Sequence, residues 1–297
     1  MAFNKRSTSE AVTDGLNLTG KTAVITGVNS GLGQESMRVL AARGAHVIGL
    51  ARTKDKAEQA CASVNGSAQG LTCELSDFAS VVSCAQQIKG LGKPIDILMT
   101  NAGIMAPTTL QHAHGIELQF ATNQLGHFIL IQHLLDSVKA AAAGRIVILS
   151  SGAHTLTVRG GIDFENLDAS SGYDPWRFYG QSKLANLLTA RVLAKELNGS
   201  NATANAVHPG MINTNLSRDI SGLFSNAMLL WTKMVSKTIE QGAATQLLVA
   251  AHPSVEGVSG EYFSDCRIGK STPFGSNAIL AQQCWDASME LTADYLP

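Results

Sequence analysis

Thr22-Ala-Val-Ile-Thr26-Gly27-Val-Asn29-Ser30-Gly31-Leu32-Gly33 runs a short apolar strand into a helical pattern (Met37, Val39, Leu40, Ala41) through three glycines. A turn this tight needs residues without a Cβ, and a side chain there would block approach to a pyrophosphate. The helix that begins near Gly31 offers unpaired N–H groups and the positive end of its dipole to such an anion. The spacing is G-x-x-x-G-x-G rather than the G-x-G-x-x-G of the better-known dinucleotide fold. On its own the turn reads equally well as an ordinary tight connection, so its context decides.

Outward from the turn the chain alternates. His46–Ala51 reads as a strand, 55–64 as a helix, 68–75 as a strand and 78–88 as a helix; 95–100 is a strand and 116–143 a long helical pattern. Arg145–Ser150 is again a strand, followed by a helix over 175–196 and a strand over 203–207. Strands alternating with helices predict an α/β fold, a doubly wound (Rossmann-type) parallel sheet with helices on both faces. There is no internal repeat or linker, so residues 21–297 are expected to form a single catalytic domain behind a polar lead-in, residues 1–20, with a short helix near Ser9–Leu16. Two stretches interrupt the rhythm, 152–176 and 211–236. Both are expected to be substrate loops on the carboxyl side of the sheet, where open α/β sheets bind ligands.

Composition narrows the class. The 297 residues are 45% hydrophobic and 15% charged with a net charge of −1, which gives no electrostatic case for nucleic acid or an anionic membrane. The cysteines (Cys61, Cys73, Cys84, Cys266, Cys284) are scattered and odd in number, reading as free thiols in a reducing compartment. No apolar run approaches the ~20 residues that span a bilayer, and the first residues carry no secretory apolar core, so a cytoplasmic protein is expected. His112 and His114 lack a third ligand at a convincing spacing, so no metal is expected.

Tyr179-Gly-Gln-Ser-Lys183 sits inside the 175–196 helix, where residues four apart share a face. A phenol titrates near pH ~10, and a neighbouring cation favours its ionised form, so the pair suits proton transfer. Spacing alone is also that of a surface-helix pair.

Taken with the glycine turn and the alternation, this stretch resembles the short-chain dehydrogenase/reductase family. Thr100-Asn101-Ala102-Gly103 is similar to the family's Asn-Asn-Ala-Gly motif with Thr in first place, and Asn123 in Asn-Gln-Leu-Gly-His is similar to its helix asparagine. Ile148-Leu-Ser-Ser151 resembles the strand end that carries the catalytic serine; Pro209-Gly210 with Thr214 resembles the segment facing the nicotinamide carboxamide. Asn123–Gly126–His127, His208-Pro209-Gly210 and Gly260-Glu-Tyr-Phe-Ser-Asp265-Cys266 resemble the retinol dehydrogenase and WW-domain oxidoreductase branch, without the apolar anchor of its membrane-bound members.

The resemblance implies an oxidoreductase in which Tyr179 supplies the proton and Ser151 holds the same oxygen. It also implies that Lys183 lowers the tyrosine's pKa and binds the nicotinamide ribose, and that Asn123 anchors a water linking Lys183 to solvent. Gly27, Asn29, Ser30, Gly31, Leu32, Gly33, Leu75, Asn101, Ala102, Gly103, Pro209, Gly210 and Thr214 would line the cofactor, joined by Tyr179 and Lys183 themselves. Glu74, where the family has Asp, is either an acceptor for the adenine amine or a solvated strand-end charge. His154 either borders the substrate or is a solvated loop histidine.

The cofactor is expected to be NADP(H). The second strand, His46–Ala51, is followed by Arg52 with no acidic residue before Asp55, and a guanidinium can fork onto a 2′-phosphate that a carboxylate would repel. Met211, Leu223, Phe224, Met228, Leu229, Leu230 and Trp231 suggest either a lid over a hydrophobic carbonyl or alcohol substrate, or a helix around 226–235 that faces the core or a second copy as partner. Two other readings stay open: a non-catalytic dinucleotide sensor and a C=C reductase of the protochlorophyllide type.

Overall fold

In the computed structural model, which describes residues 3–212 and 236–297, eight strands form one sheet. They are β1 (Thr22–Thr26), β2 (His46–Ala51), β3 (Ala68–Thr72), β4 (Ile97–Thr100), β7 (Arg145–Leu149), β8 (Thr203–His208), β9 (Tyr262–Ser264) and β10 (Arg267–Ile268). Their order is β10-β9-β8-β7-β4-β1-β2-β3; the pairings from β3 to β9 are parallel and β10 returns antiparallel. The connections reverse direction between β1 and β4, which opens a crevice at their carboxyl ends.

Both faces of this sheet are buried, which is why its strands read as unbroken apolar runs. Along β1, Val24 points into one core with Ile48, Leu98 and Ile146, whereas Ala23 and Ile25 point into the other with Val47, Met99 and Val147. Helices α4 (Phe78–Gly90), α6 (Gly126–Lys139), α7 (Pro175–Glu196) and α9 (Ala278–Leu291) close the first core with Val81, Ile129, Leu188 and Leu280. The second is closed by α1 (Ser9–Thr13), α2 (Gly31–Ala42), α3 (Lys54–Ala62) and α8 (Ile239–Ala251), through Val12, Leu40, Cys61 and Leu247. The polar lead-in is therefore built into a core: Val12 is fully buried and the Ser9 hydroxyl donates to Glu35. All five cysteines are buried free thiols.

Helix α7 starts where its residues dictate. Asp174 accepts from the N–H groups of Trp176 and Arg177, both at 3.0 Å, and Pro175 fills the first turn.

The expected helix over 116–143 is not continuous. His114 and Gly115 both take positive φ (53° and 76°), making a two-residue turn that pairs β5 (His112–Ala113) with β6 (Ile116–Glu117). The Glu117 carboxylate then caps a short α5 (Leu118–Phe120), and a π-helical turn over Ala121–Leu125 precedes α6. Strand β3 stops at Thr72 rather than running on to Leu75, because the chain turns away to the Asp77 cap of α4.

Candidate active site

The glycine turn leaves β1 at the crevice. Gly27 and Gly31 adopt positive φ (73° and 59°). A Cβ on Gly33 would meet the Gly27 carbonyl and stand 2.5 Å from Asn101 Nδ2, so α2 can approach the end of β4 only without a side chain there.

Thr26 ties the two strand ends together. Its hydroxyl oxygen accepts from the N–H groups of Asn101 and Ala102, both at 2.9 Å, and contacts His127 Nε2 at 2.9 Å. His127 Nδ1 lies 3.0 Å from the Asn123 carbonyl, which can only accept. Nδ1 therefore carries the proton, Nε2 accepts, and the Thr26 hydroxyl donates to it. Burial pushes the imidazole down to about 4, consistent with that neutral form. Asn101 in turn donates from Nδ2 to the Thr26 carbonyl (2.9 Å) and accepts from Gln246 of α8 at 3.2 Å. Sequence reading did not assign His127 or Gln246 to this cluster; apart from the Asn-Gln-Leu-Gly-His resemblance, neither carried a signal. Thr26→Val, nearly isosteric, leaves two buried N–H groups unpaired and is expected to lower stability by about 2–4 kcal/mol in urea unfolding. A loss below ~0.5 kcal/mol would show that water replaces the hydroxyl.

Ser151, Tyr179 and Lys183 come together at the end of β7. The strand end is fastened to α7 at three points: Ser150 Oγ to the Lys183 carbonyl (2.7 Å), and Leu149 O to Lys183 Nζ (3.2 Å) and Asn186 Nδ2 (2.9 Å). Ser151 accepts from Ala153 N at 3.1 Å, opening a 3-10 turn over Gly152–Thr155. That turn sits directly on α7 because Gly180 has no side chain; a Cβ there would collide with the Leu156 carbonyl.

Lys183 Nζ lies 5.7 Å from the Tyr179 ring centroid, with both residues buried. Burial pushes the Tyr179 phenol up to about 12, with a Ser151 hydrogen bond pulling the other way, and pushes Lys183 down to about 8. The lowering of the phenol expected from Lys183 is not found: the ammonium sits over the ring, and desolvation of the phenolate dominates.

Asn123 lies in the π turn. Its Oδ1 accepts from Ile104 N (2.9 Å), and its Nδ2 donates to the Ile104 carbonyl and Ser182 Oγ, each at 3.0 Å. Both amide hydrogens are engaged, so a water held by this residue would use its backbone carbonyl. A Cβ on Gly103 would stand 3.1 Å from Asn123 Oδ1 and 3.3 Å from Lys183 Nζ, which places the Asn-Ala-Gly segment against the same corner.

At the end of β2, Arg52 is exposed and makes no ion pair among the described residues. Glu74 Oε1 is turned back onto Ser76, accepting from its N–H (3.2 Å) and hydroxyl (2.9 Å), while the Leu75 carbonyl packs against Gly126. Gly210 has φ 99°. Thr214 and most of the 211–236 stretch lie outside the described residues. His154 is buried, not solvated. Its Nδ1 lies 2.7 Å from the Ser151 carbonyl and its Nε2 accepts from Thr272 N at 3.2 Å. It borders a cleft of about 330 Å³ beside Ser151. His112 contacts the Asp168 carbonyl at 2.7 Å, and His114 stacks on Phe78 with ring centroids 3.9 Å apart.

A crevice at the switch point of a doubly wound sheet, with a glycine turn on one side and a half-buried Ser151 beside a buried Tyr–Lys pair on the other, defines a dinucleotide-dependent oxidoreductase. The short chain dehydrogenase family model matches residues 21–164. The chain is 42% identical to the short-chain dehydrogenase TIC 32 B, chloroplastic, of Brassica napus, over 99% of this chain and 95% of that protein. It is 38% identical to human retinol dehydrogenase 12, over 93% of this chain and 87% of that one. In structure it is similar to an uncharacterized protein of Mycobacterium Paratuberculosis, with a TM-score of 0.78 and 33% identity over 96% of this chain and 98% of that one. The chain belongs to the short-chain dehydrogenase/reductase family, in the branch similar to the retinol dehydrogenases.

Proposed function

We propose that this oxidoreductase moves a hydride between NADP(H) and a carbonyl or alcohol carbon of a small molecule. The observation that carries the reading is the corner in which Tyr179, Ser151 and Lys183 converge. The chain's own residues fit a dinucleotide: a glycine turn at the α2 N-terminus, which no side chain caps, and, among the described residues, an exposed Arg52 with no carboxylate partner and a buried Lys183 ammonium bonded to Leu149 O alone. Bound there, the nicotinamide supplies or accepts the hydride.

Tyr179 Oη gives its proton to the carbonyl oxygen as charge develops on it, and takes the proton back in alcohol oxidation. At neutral pH a phenol raised to about 12 is protonated and ready to donate. Ser151 Oγ holds the same oxygen, and this cradle acts mainly where the oxygen turns alkoxide-like. Lys183 would donate to the ribose, and the Asn123 carbonyl would hold a water at the inner end of the proton path. We assign residues 21–297 to one catalytic domain. The apolar residues within 211–236 support an apolar substrate body. The test is NADPH consumption against a panel of aldehydes and ketones, with the matching alcohols run in reverse; no turnover of any member would sink the reading.

The choice of NADP(H) rests on Arg52. Arg52→Glu is expected to raise KM for NADPH by a decade or more, because a lost charged pair costs ~2–5 kcal/mol. NADH should be little affected. Equal wild-type efficiency with both cofactors would reverse the assignment.

A further inference from the structure

The cleft beside Ser151 lies at the carboxyl ends of β7, β8 and β9, and its lining includes Gly152, His208, Asp265, Arg267 and Lys270. We propose that it binds a carboxylate carried by the substrate, at a distance from the carbonyl being reduced. This rests on the reading above that Ser151 and Tyr179 hold the carbonyl oxygen, because the cleft begins one residue beyond Ser151.

His208 is the first ground. Its Nδ1 accepts from the N–H groups of Gly152 at 3.0 Å and Gly210 at 3.4 Å, so the neutral ring must carry its proton on Nε2. Burial, aided by Lys237, pushes the imidazole down to about 4, so this neutral form is the one present at neutral pH. Nε2 lies 3.3 Å from where a Cβ on Gly152 would stand, and no acceptor for it is recorded among the described residues. The result is a hydrogen-bond donor of fixed direction in the cleft, oriented by two backbone groups and without an acceptor among the described residues.

Charge is the second ground. Asp265 is the one carboxylate among the described lining residues, and it is held at 2.7 Å by Lys237. Arg267 and Lys270 are exposed and make no ion pair among the described residues. The outer end of the cleft is therefore positive. Its shape is set by the β9–β10 hairpin, where Asp265 and Cys266 both take positive φ (54° and 58°), an unfavourable conformation for residues other than glycine. Cys266 is held in it by Thr245, which accepts from its N–H at 3.1 Å. The hairpin thus presents Arg267 from a conformation fixed by the core beneath. An N–H donor inside and two cations outside complement an oxyanion, whereas an apolar group would cover the Nε2–H without pairing it.

The test uses the full chain with NADPH and two pairs of probes. Binding of para-carboxybenzyl alcohol and para-methylbenzyl alcohol is measured by calorimetry, and kcat/KM is measured for the matching aldehydes. The carboxylated alcohol should bind about tenfold more tightly. That ratio should fall to about twofold in the Arg267→Gln/Lys270→Gln double variant, whose positions are exposed and tolerate the change. His208→Asn, which keeps an acceptor for Gly152 and Gly210 but removes the Nε2 proton, should also weaken carboxylate binding. Equal affinities in the wild type, or a preference that survives in both variants, overturns the proposal. Turnover of the methyl aldehyde without any carboxylate preference removes this inference and leaves the reaction standing. Carboxylate preference in binding with no turnover of either aldehyde does the reverse.

Discussion

Tyr179→Phe is expected to lower carbonyl turnover by roughly 10²–10⁴-fold while the affinity for NADPH stays within a few-fold. The ring is buried, and it meets Trp176 edge-on with centroids 6.3 Å apart. Phenylalanine fills the same space and keeps that contact. What it lacks is one hydroxyl, which has a proton to give only when charge develops on the substrate oxygen. Ground-state binding therefore changes little and the barrier changes much, so kcat falls and KM does not. A fluorescence titration with NADPH and a kcat measurement separate the two effects. Near-wild-type turnover would remove Tyr179 from the acid role, and a parallel loss of NADPH affinity would make the hydroxyl a cofactor contact instead.

How much of this corner was legible in the sequence depends on whether the cause was local. Helix 175–196 was legible to the residue, because an Asp-Pro start and a long apolar period are written in neighbouring positions. The parallel sheet was legible because strands buried on both faces have a composition of their own. The hairpin over 112–117 was not, since positive φ is uncommon for any residue but glycine and only Gly115 hinted at the turn. Nor was the Thr26 cluster: its bonds join residues 75 and 101 positions apart, and no pattern in one sequence announces them. Gly180 shows the same limit. Within Tyr-Gly-Gln-Ser-Lys it looks like filler, yet without it the Ser151 turn would not seat on α7. The direction of the Tyr179 shift also escaped. Spacing puts Lys183 on the same helix face, but only the packed structure shows that the phenol is dry enough for desolvation to dominate.

The same dryness bears on Lys183, and Lys183→Met is expected to abolish turnover while making the cofactor-free protein more stable. The ammonium is buried with a single recorded bond, 3.2 Å to the Leu149 carbonyl, and burial pushes its pKa from 10.5 to about 8. At pH 7 the group is charged in both folded and unfolded chains, so the folded state bears the full penalty of the buried charge. A fall from 10.5 to about 8 corresponds to about 3 kcal/mol. Methionine keeps the apolar stem and removes the charge, which should raise Tm by roughly 5 °C for a chain of this size. The sign with pH follows from proton counts. Between pH 8 and 10.5 the unfolded chain holds a proton on Lys183 that the folded one has released, so wild-type stability rises with pH relative to the variant across that window. Tyr179 titrates above it and is present in both proteins, so its contribution cancels in the comparison. The stability gap should be widest below pH 8 and close near pH 10.5. Saturating NADPH should also narrow it at pH 7, because ribose hydroxyls would give the ammonium the partners it lacks, and binding to the folded state alone adds stability. A variant less stable than wild type at pH 7 without cofactor would show that the Leu149 hydrogen bond already offsets the burial. An unchanged gap between pH 7 and 10.5 would place the Lys183 titration elsewhere.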